Sequence, residues 1–358
     1  IVFRLRLLEY PMPTGSRDPD VLLDWLLNSM GLNRRRTDKW GGEEKGALHR
    51  IMREALLVSP LRGWDTRDLG DASGLSHTGT HHQMAKLRSC GLVSTEVDGK
   101  WRIHVLRGGS ISSAVTLVCV QAKAVLELRL SELSATISQS ESRMQTAAEE
   151  EEVPFAIDIC EPGARREGED STALLVDDLG LSGDRGRDDG LAHSLLLHLA
   201  EAHQPITILS LSELLSESRS RVQTAVERMR SASLVERVPM IGRIAQDVFS
   251  GIMRQNDARG EEWLMTRGGL GRLDDAFSKA LLGGAKSGSL DIGKVQEILS
   301  PVPIGDQRIL LNTLGGRMPY GIRISGSEGS VVSERVMRIA DRTFRRLRTI
   351  AQRLDDAI

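Results

Sequence analysis

Aromatic residues are scarce in this chain of 358 residues: Phe, Trp and Tyr together make up 3%. The cores must therefore be built mainly from Leu, Ile, Val, Ala and Met, and these residues recur at helical spacing more often than in β-rich runs. The composition predicts a mainly α protein with small β-hairpins, an α+β arrangement. The length is too great for one typical domain and predicts two or three.

Cysteine is also rare, and no CxxC pair occurs, because Cys90, Cys119 and Cys160 are odd in number and widely spaced. That pattern argues against a disulfide framework or a zinc knuckle and is typical of a reducing compartment. No apolar run approaches the roughly 20 residues of a membrane span, and the start has no signal-peptide layout. We therefore expect a cytoplasmic protein without a membrane partner.

Charge is unevenly distributed. The net charge is −2, but residues 141–189 hold fifteen Asp and Glu against five Arg, a local charge of −10 that leaves about +8 elsewhere. Such a segment predicts an acidic, flexible linker, mobile at least between Gly163 and Ser171. A small strand is expected at 155–159, and the tract could mimic DNA toward basic neighbours.

The segment after residue 45 predicts three helices and a hairpin. An apolar stripe from Leu48 to Leu56 gives a first helix, Thr66 can cap a short second helix, and Ser76 can cap a third that ends near Gly91. Two alternating runs then follow, joined by Asp98 and Gly99, and an Asp-Gly link favours a β-hairpin. Three helices with a short turn before the last form helix-turn-helix geometry.

A second copy of this pattern begins near residue 190. At a constant offset of 142 residues, five apolar or small positions of the first copy fall on apolar positions of the second without a gap. These pairs are Thr80 and Val222, Met84 and Val226, Leu87 and Met229, Leu92 and Leu234, and Val93 and Val235. We expect the second strand of the second hairpin at 263–269, after an insertion of about twenty residues that is helical around 244–253.

These residues resemble the winged-helix transcription regulators found among archaeal and bacterial repressors. Cys90-Gly91-Leu92-Val93 matches the end of the third helix in that superfamily, and the run from Trp263 to Gly269 approximates its later strand. The resemblance covers about 45–112 and 190–275, and it implies two tandem winged-helix modules that bind double-stranded DNA. The long second wing departs from the usual pattern.

In helix-turn-helix proteins the third helix enters the major groove with the side opposite its core stripe. The outward side carries hydroxyl and cationic groups and no carboxylate in either copy. The predicted DNA-binding residues are Thr78, His82, Lys86, Ser89, Ser220, Arg221, Thr224 and Arg228 on the two helices, with Lys100 and Arg102 on the first hairpin. A plain solvated face remains the alternative for each of them.

Two long helices complete the predicted organisation. A seam with spacings of three and four runs from Val115 to Met144, as in a coiled coil, and a basic helix of about 28 residues closes the chain. Since exposed seams are unfavourable, we expect a homodimer formed through one or both helices. The predicted divisions are an N-terminal segment 1–44, module one 45–112, the long helix 113–150, the linker 151–189, module two 190–275, a region rich in Gly and Pro 276–330 and the basic helix 331–358.

Other chemistry has less support. His77, His81, His82, Cys90 and His104 lie close in sequence, but the CxC and Asp-x-His patterns of metal sensors are missing, so no metal or other cofactor is expected. The glycine clusters lack the Lys-Ser/Thr ending of a phosphate loop, and no nucleophile elbow occurs, so no enzyme is expected. The main alternative is a protein-interaction scaffold of tandem winged helices, chromosome-organising or polymerase-associated, because both modules are nearly neutral.

Overall fold

The computed structural model describes residues 2–33, 46–99, 101–148, 152–183 and 190–358. As expected, the chain is mainly α-helical with small antiparallel sheets. The helices are α1 (Pro19–Ser29), α2 (Ala47–Ile51, continued by a π-helical turn Met52–Leu56), α3 (Thr66–Ser73), α4 (His77–Ser89), α5 (Ile111–Ser134), α6 (Ser171–Asp178), α7 (Leu191–Glu201), α8 (Ile208–Leu214), α9 (Arg219–Ser231), α10 (Ile244–Thr266), α11 (Asp275–Ser287), α12 (Ile292–Leu299), α13 (Ile304–Thr313) and α14 (Gly329–Asp355). The strands are β1 (Arg4–Leu8), β2 (Val93–Asp98), β3 (Trp101–Leu106), β4 (Ala156–Cys160), β5 (Val235–Pro239) and β6 (Tyr320–Ile324), which pair as β1–β4, β2–β3 and β5–β6.

The two halves of the chain repeat one order of elements. The first half runs β1, α1, α2, α3, α4, β2, β3, α5, and the second runs β4, α6, α7, α8, α9, β5, β6, α14. The bounds of α4 and α9 differ by 142 at both ends, since 219 − 77 and 231 − 89 both give 142. A short bridge also recurs, since Trp64 pairs with His104 and Ile206, 142 residues after Trp64, pairs with Ile322.

The repeated core register is confirmed. All ten residues of the five predicted pairs are buried, including Met84 at 2% and Val226 at 0% exposure. The backbone repeats as well, because the left-handed positions Gly74 and Gly91 correspond to Ser216 and Ser233, which also have positive φ. A serine at such a position is strained, so the fold and not the residue type dictates the turn.

The ribbon of β1 and β4 lies on a pseudo-twofold axis. Arg6 of β1 pairs with Asp158 of β4. Asp158 is also the residue that corresponds to Arg6 in the second half, 152 positions later. Asp18 and Asp170 cap α1 and α6 at the same offset. Since an antiparallel pair centred on equivalent residues is symmetric about that pair, the halves meet as the two subunits of a twofold dimer do.

Close glycine contacts repeat around this axis. A Cβ on Gly31 would lie 2.5 Å from the Arg6 side chain, and a Cβ on Gly180 would lie 2.6 Å from that of Asp158. Both glycines have positive φ. They allow the turn after α1 to approach β1 closely and the turn after α6 to approach β4 closely.

Helices α5 and α14 follow the two hairpins and pack against each other. Their apolar seams are buried within the chain, with Val118 and Ala122 on α5 and Val336 and Ala340 on α14 among the buried residues. The expectation of a homodimer rested on seams left open to water, and that reason no longer holds. The homodimer itself stays a prediction.

The first long helix is shorter than predicted. It ends at Ser134, and Glu141–Met144 forms a separate 3-10 turn. The polar run after Ser134 explains the end, because Ser and Thr side chains compete with the helical backbone bonds. Thr136 Oγ1 donates to the Leu133 carbonyl, and the Ser138 amide turns to the Ala200 carbonyl on α7.

By length and composition alone, α5 could cross a membrane, which the sequence analysis did not expect. The same test is passed by core helices of other proteins, and 39% of its apolar window is buried inside the chain. The structure packs α5 mainly against α14 and also against α6 and β4.

The second hairpin differs most from its prediction. The expected strand at 263–269 is wrong, because Trp263 to Thr266 belong to α10 and β5 instead pairs with β6. The offset between halves is 142 before this hairpin turn and 218 at the start of α14 (329 − 111), so the insertion is 76 residues long. It contains α10 to α13, which share a hydrophobic core separate from that of the two halves.

The acidic segment is not a plain linker, which corrects the sequence interpretation. The small strand is confirmed as β4, and α6 follows it. Two of the acidic side chains form internal ion pairs, Asp158 with Arg4 at 2.7 Å and Asp178 with Arg129 at 3.5 Å. Burial of four of the five residues of β4 and the Asp170 cap of α6 organise this segment despite its charge.

Candidate nucleic-acid interface

Helix α4 is the third helix of the first module, and its sequence fixes both its start and its buried side. Ser76 caps it by accepting a hydrogen bond from the Gly79 amide at 3.3 Å. The Thr80 hydroxyl donates to the Ser76 carbonyl at 3.1 Å. Since Thr80, Met84 and Leu87 are buried at helical spacing, the opposite side faces outward.

The predicted residues on α4 divide into two groups. Thr78 and His82, in the N-terminal half, are exposed. Lys86 and Ser89, further along, are half-buried: Lys86 Nζ donates to Gln83 Oε1 at 3.2 Å, and Ser89 Oγ donates to the Lys86 carbonyl at 2.9 Å. Ser89 also lines a 300 Å³ cleft beside β1.

Helix α9 shows the same division. Ser218 caps it through the Arg221 amide at 3.3 Å, and Ser220, Arg221 and Thr224 are exposed in its N-terminal half. Arg221 forms an ion pair with Glu217 at 2.6 Å. Arg228 is half-buried, and its Nη1 donates to the Ser182 carbonyl at 3.0 Å.

Both third helices therefore present their N-terminal halves to solvent, while their C-terminal halves lie beside the elements of the ribbon. No carboxylate occurs in residues 77–83 or 219–224. Backbone amides, hydroxyls and cations at a helix N-terminus suit an anionic partner. His77 and Arg219 are exposed in the same two regions but were not among the predicted DNA-binding residues.

The β2–β3 hairpin is confirmed, with a small shift in its turn. Asp98 pairs with Trp101, so the two-residue loop begins at Gly99, which has φ +58°, and not at Asp98. Arg102 is exposed on β3, whereas Lys100 lies outside the described residues.

Sequence reasoning missed the apolar tip of this hairpin. Val97 is 76% exposed and Trp101 is 52% exposed. Strand alternation puts Val97 on the same face as Val93, which is buried, so this pattern gave no signal of an exposed Val97 at the tip. Apolar and cationic side chains at one tip suit contact with a groove and its phosphates.

The cluster tested for metal binding is already engaged in part. Cys90 is buried, which raises the pKa of its thiol to about 12, and its Sγ donates to the Leu87 carbonyl. His104 is buried beside Thr95 Oγ1 at 2.9 Å, and burial lowers its pKa to about 4. Among the described residues, no group of three or more His, Cys, Asp or Glu side chains is placed to hold a metal ion.

No family model, curated protein or solved structure matches this chain.

Proposed function

We propose that this chain is a double-stranded DNA-binding transcription regulator with two winged-helix modules. Each module contains three helices, a bridge strand and a two-stranded hairpin in the order that this fold requires. The third helices α4 and α9 are the proposed recognition helices.

The observation that carries this proposal is the matched exposure of the two helix N-termini. Thr78 and His82 on α4, and Ser220, Arg221 and Thr224 on α9, are all exposed on capped helices of equal length. Side chains of these types donate to phosphates and base edges. Lys86, Ser89 and Arg228 have a smaller part in this scheme, because they are half-buried as well as bonded within the chain. Arg221 also pairs with Glu217, but its side chain is 44% exposed.

The pseudo-twofold arrangement supports a single chain as the DNA-binding unit. Dimeric helix-turn-helix proteins read half-sites with the symmetry of the dimer. Here the two modules belong to one chain, and the ribbon and the α5–α14 pair pack them around such an axis. We therefore expect a site of two unequal half-sites, because Arg221 stands where the first module has Gly79.

The test is selection of duplexes from a random library, followed by fluorescence anisotropy at several salt concentrations. Affinity should fall steeply with salt, since released counterions drive phosphate binding. His82→Glu and Arg221→Glu should each weaken binding about tenfold or more, because a carboxylate would face the phosphates.

Lys279→Glu is the matched control. Lys279 is 79% exposed on α11 in the inserted domain and pairs there with Asp275. This variant has the same charge change as Arg221→Glu and should leave affinity nearly unchanged. Failure of the wild type to enrich any duplex at low salt would contradict the proposal.

A second candidate is a protein-interaction scaffold, favoured by the inserted domain. That domain takes the place of a simple second wing and exposes Ile292, Ile304 and Ile309. A photo-crosslinking residue at Ile309 should capture a protein partner in cells under this alternative, whereas one at Lys279 should not. Capture at both positions or at neither would count against a specific interface.

A further inference from the structure

A cleft of about 600 Å³ lies between α14, β5 and the end of β1. Arginines line it from three elements: Arg335, Arg342 and Arg346 on α14, Arg230 on α9, and Arg237 on β5. The α14 residues are spaced by seven and four, which places them on one face of the helix. The cleft lies away from the exposed N-terminal half of α9.

Arginines outnumber carboxylates among the described residues that line this cleft. Five arginines and three glutamates, Glu9, Glu152 and Glu236, give the described lining a charge of +2, and Arg230 also pairs at 2.9 Å with Glu227, which lies outside the lining. Glu9 contacts Arg342 at 2.8 Å and Arg346 at 2.6 Å, and Glu236 contacts Arg335 at 2.7 Å. Guanidinium groups gathered in one concave site suit a phosphate, which accepts several of their N–H bonds at once.

The other half of the chain shows that the fold does not need these arginines. At the offset of 218, Arg335, Arg342 and Arg346 correspond to Leu117, Ala124 and Leu128 on α5, and all three are exposed. The same helix face is therefore apolar in one half and cationic in the other. Because the equivalent face of α5 lacks such a cluster, the repeated fold forms without it, and a bound ligand is one reason for arginines to be gathered on α14.

A less polar wall also lines the cleft. It includes Tyr10, Pro11, Val153 and Pro154, and Ile339 joins it from α14 itself. The volume is within the range of small-molecule sites, which combine an apolar wall with a few oriented polar groups. This wall can hold an organic group while the arginines hold the phosphate.

We propose that this cleft binds a small organic phosphate, with Arg342 and Arg346 as its main phosphate ligands. Glu9 occupies the same two guanidinium groups in the free protein and competes with the phosphate. The site is separate from the proposed DNA surface, so its test does not depend on the proposed function.

The experiment is isothermal titration of the full chain, without DNA and at fixed ionic strength, with pyrophosphate and with ADP. Both should bind saturably, and ADP should bind more tightly because its nucleoside adds contacts with the apolar wall. Arg342→Gln and Arg346→Gln should each raise the dissociation constant about tenfold or more, the loss typical of a charged hydrogen bond.

Two further variants separate this site from general charge and from misfolding. Arg338→Gln removes an exposed arginine of the same helix outside the cleft and should leave both affinities unchanged. Glu9→Gln removes the competing carboxylate and should tighten pyrophosphate binding severalfold, a gain that misfolding cannot produce.

Saturable binding that Arg342→Gln weakens and Arg338→Gln does not would support the proposal. Absence of saturable binding at low-millimolar pyrophosphate and ADP would overturn it, as would equal losses in Arg338→Gln and Arg342→Gln. If neither probe binds and Arg342→Gln instead weakens duplex DNA binding, the cleft belongs to the DNA surface and the proposal is wrong.

Discussion

Replacing Glu236 by glutamine tests the buried ion cluster that joins β5 to β6 and α14. Glu236 accepts hydrogen bonds from Arg323 Nε at 2.9 Å and Nη2 at 2.7 Å, and from Arg335 Nη1 at 2.7 Å. Arg323 is 2% exposed and also donates to the Arg143 carbonyl. Arg143 is itself buried, and desolvation lowers its pKa.

The expected loss follows from these burials. Without Glu236, the guanidinium of Arg323 stays buried beside Arg143 with its counter-charge removed. Breaking a buried pair from one side costs about 3 to 5 kcal/mol. Arg335 has a side chain that is 43% exposed, so Arg335→Gln should cost less than about 1 kcal/mol.

Urea unfolding followed by far-UV circular dichroism measures both variants. The midpoint of Glu236→Gln should fall well below that of the wild type, while Arg335→Gln should stay close to it. Glu236→Leu combined with Arg323→Met removes both charges and should cost less than Glu236→Gln alone. Equal losses for Glu236→Gln and Arg335→Gln would refute the reasoning, since they would show that burial of the pair is not what matters.

Four other predictions follow from single features of the structure. Burial lowers the pKa of His104 from 6.5 to about 4, so the stability that neutral His104 contributes is complete above pH 6.5 and is lost as the pH falls toward 4. Over that window the free energy of unfolding of the wild type should fall by about 1 to 3 kcal/mol. The same pH change should lower the free energy of unfolding of His104→Gln by less. Ser216→Gly should raise the free energy of unfolding in urea by about 0.5 to 1 kcal/mol, because glycine adopts a positive φ without strain. Gly74→Ser should lower it for the same reason. A lower free energy for Ser216→Gly or a higher one for Gly74→Ser would contradict the repeated backbone conformation. If the acidic tract mimics DNA, neutralising the exposed Glu167 and Glu169 together should tighten binding to random duplex DNA at low salt. The gain in affinity should fade as the salt concentration rises. Unchanged affinity at low salt would show that these residues do not have that role. If the chain forms a homodimer, the exposed apolar face of α5 is its expected route, so Val120→Asp should shift sedimentation toward the monomer, and a wild type that is monomeric at micromolar concentration would remove this surface.

The sequence alone determined the local elements with strong periodicity or caps. Serines at 76 and 218, followed by buried positions at spacings of three and four, defined α4 and α9 and their common offset. The α14 helix and the β2–β3 hairpin were readable for the same reason. Local hydrogen bonding and amphipathic spacing act within a few residues, so they leave a signal in the sequence.

The sequence also indicated which residues of the candidate interface point outward, but not what covers them. Thr78 and Ser220 are exposed as expected, whereas Arg228 turns to the Ser182 carbonyl. Helical spacing gives the direction of a side chain, and only the packed chain shows whether another segment occupies that direction.

Tertiary structure alone decided how the halves combine. β1 and β4 are five residues each and 152 apart, and neither has a partner in its own neighbourhood, so their pairing around Arg6 and Asp158 left little trace in either segment. The partner of β5 is β6, which lies beyond the 76 inserted residues. The strand was expected instead at 263–269, but Trp263 to Thr266 belong to α10. Pairing between distant segments depends on which surfaces remain exposed after the helices have packed. The apolar seams of α5 and α14 show this, because they bury each other, whereas the sequence left open that a second chain would bury them.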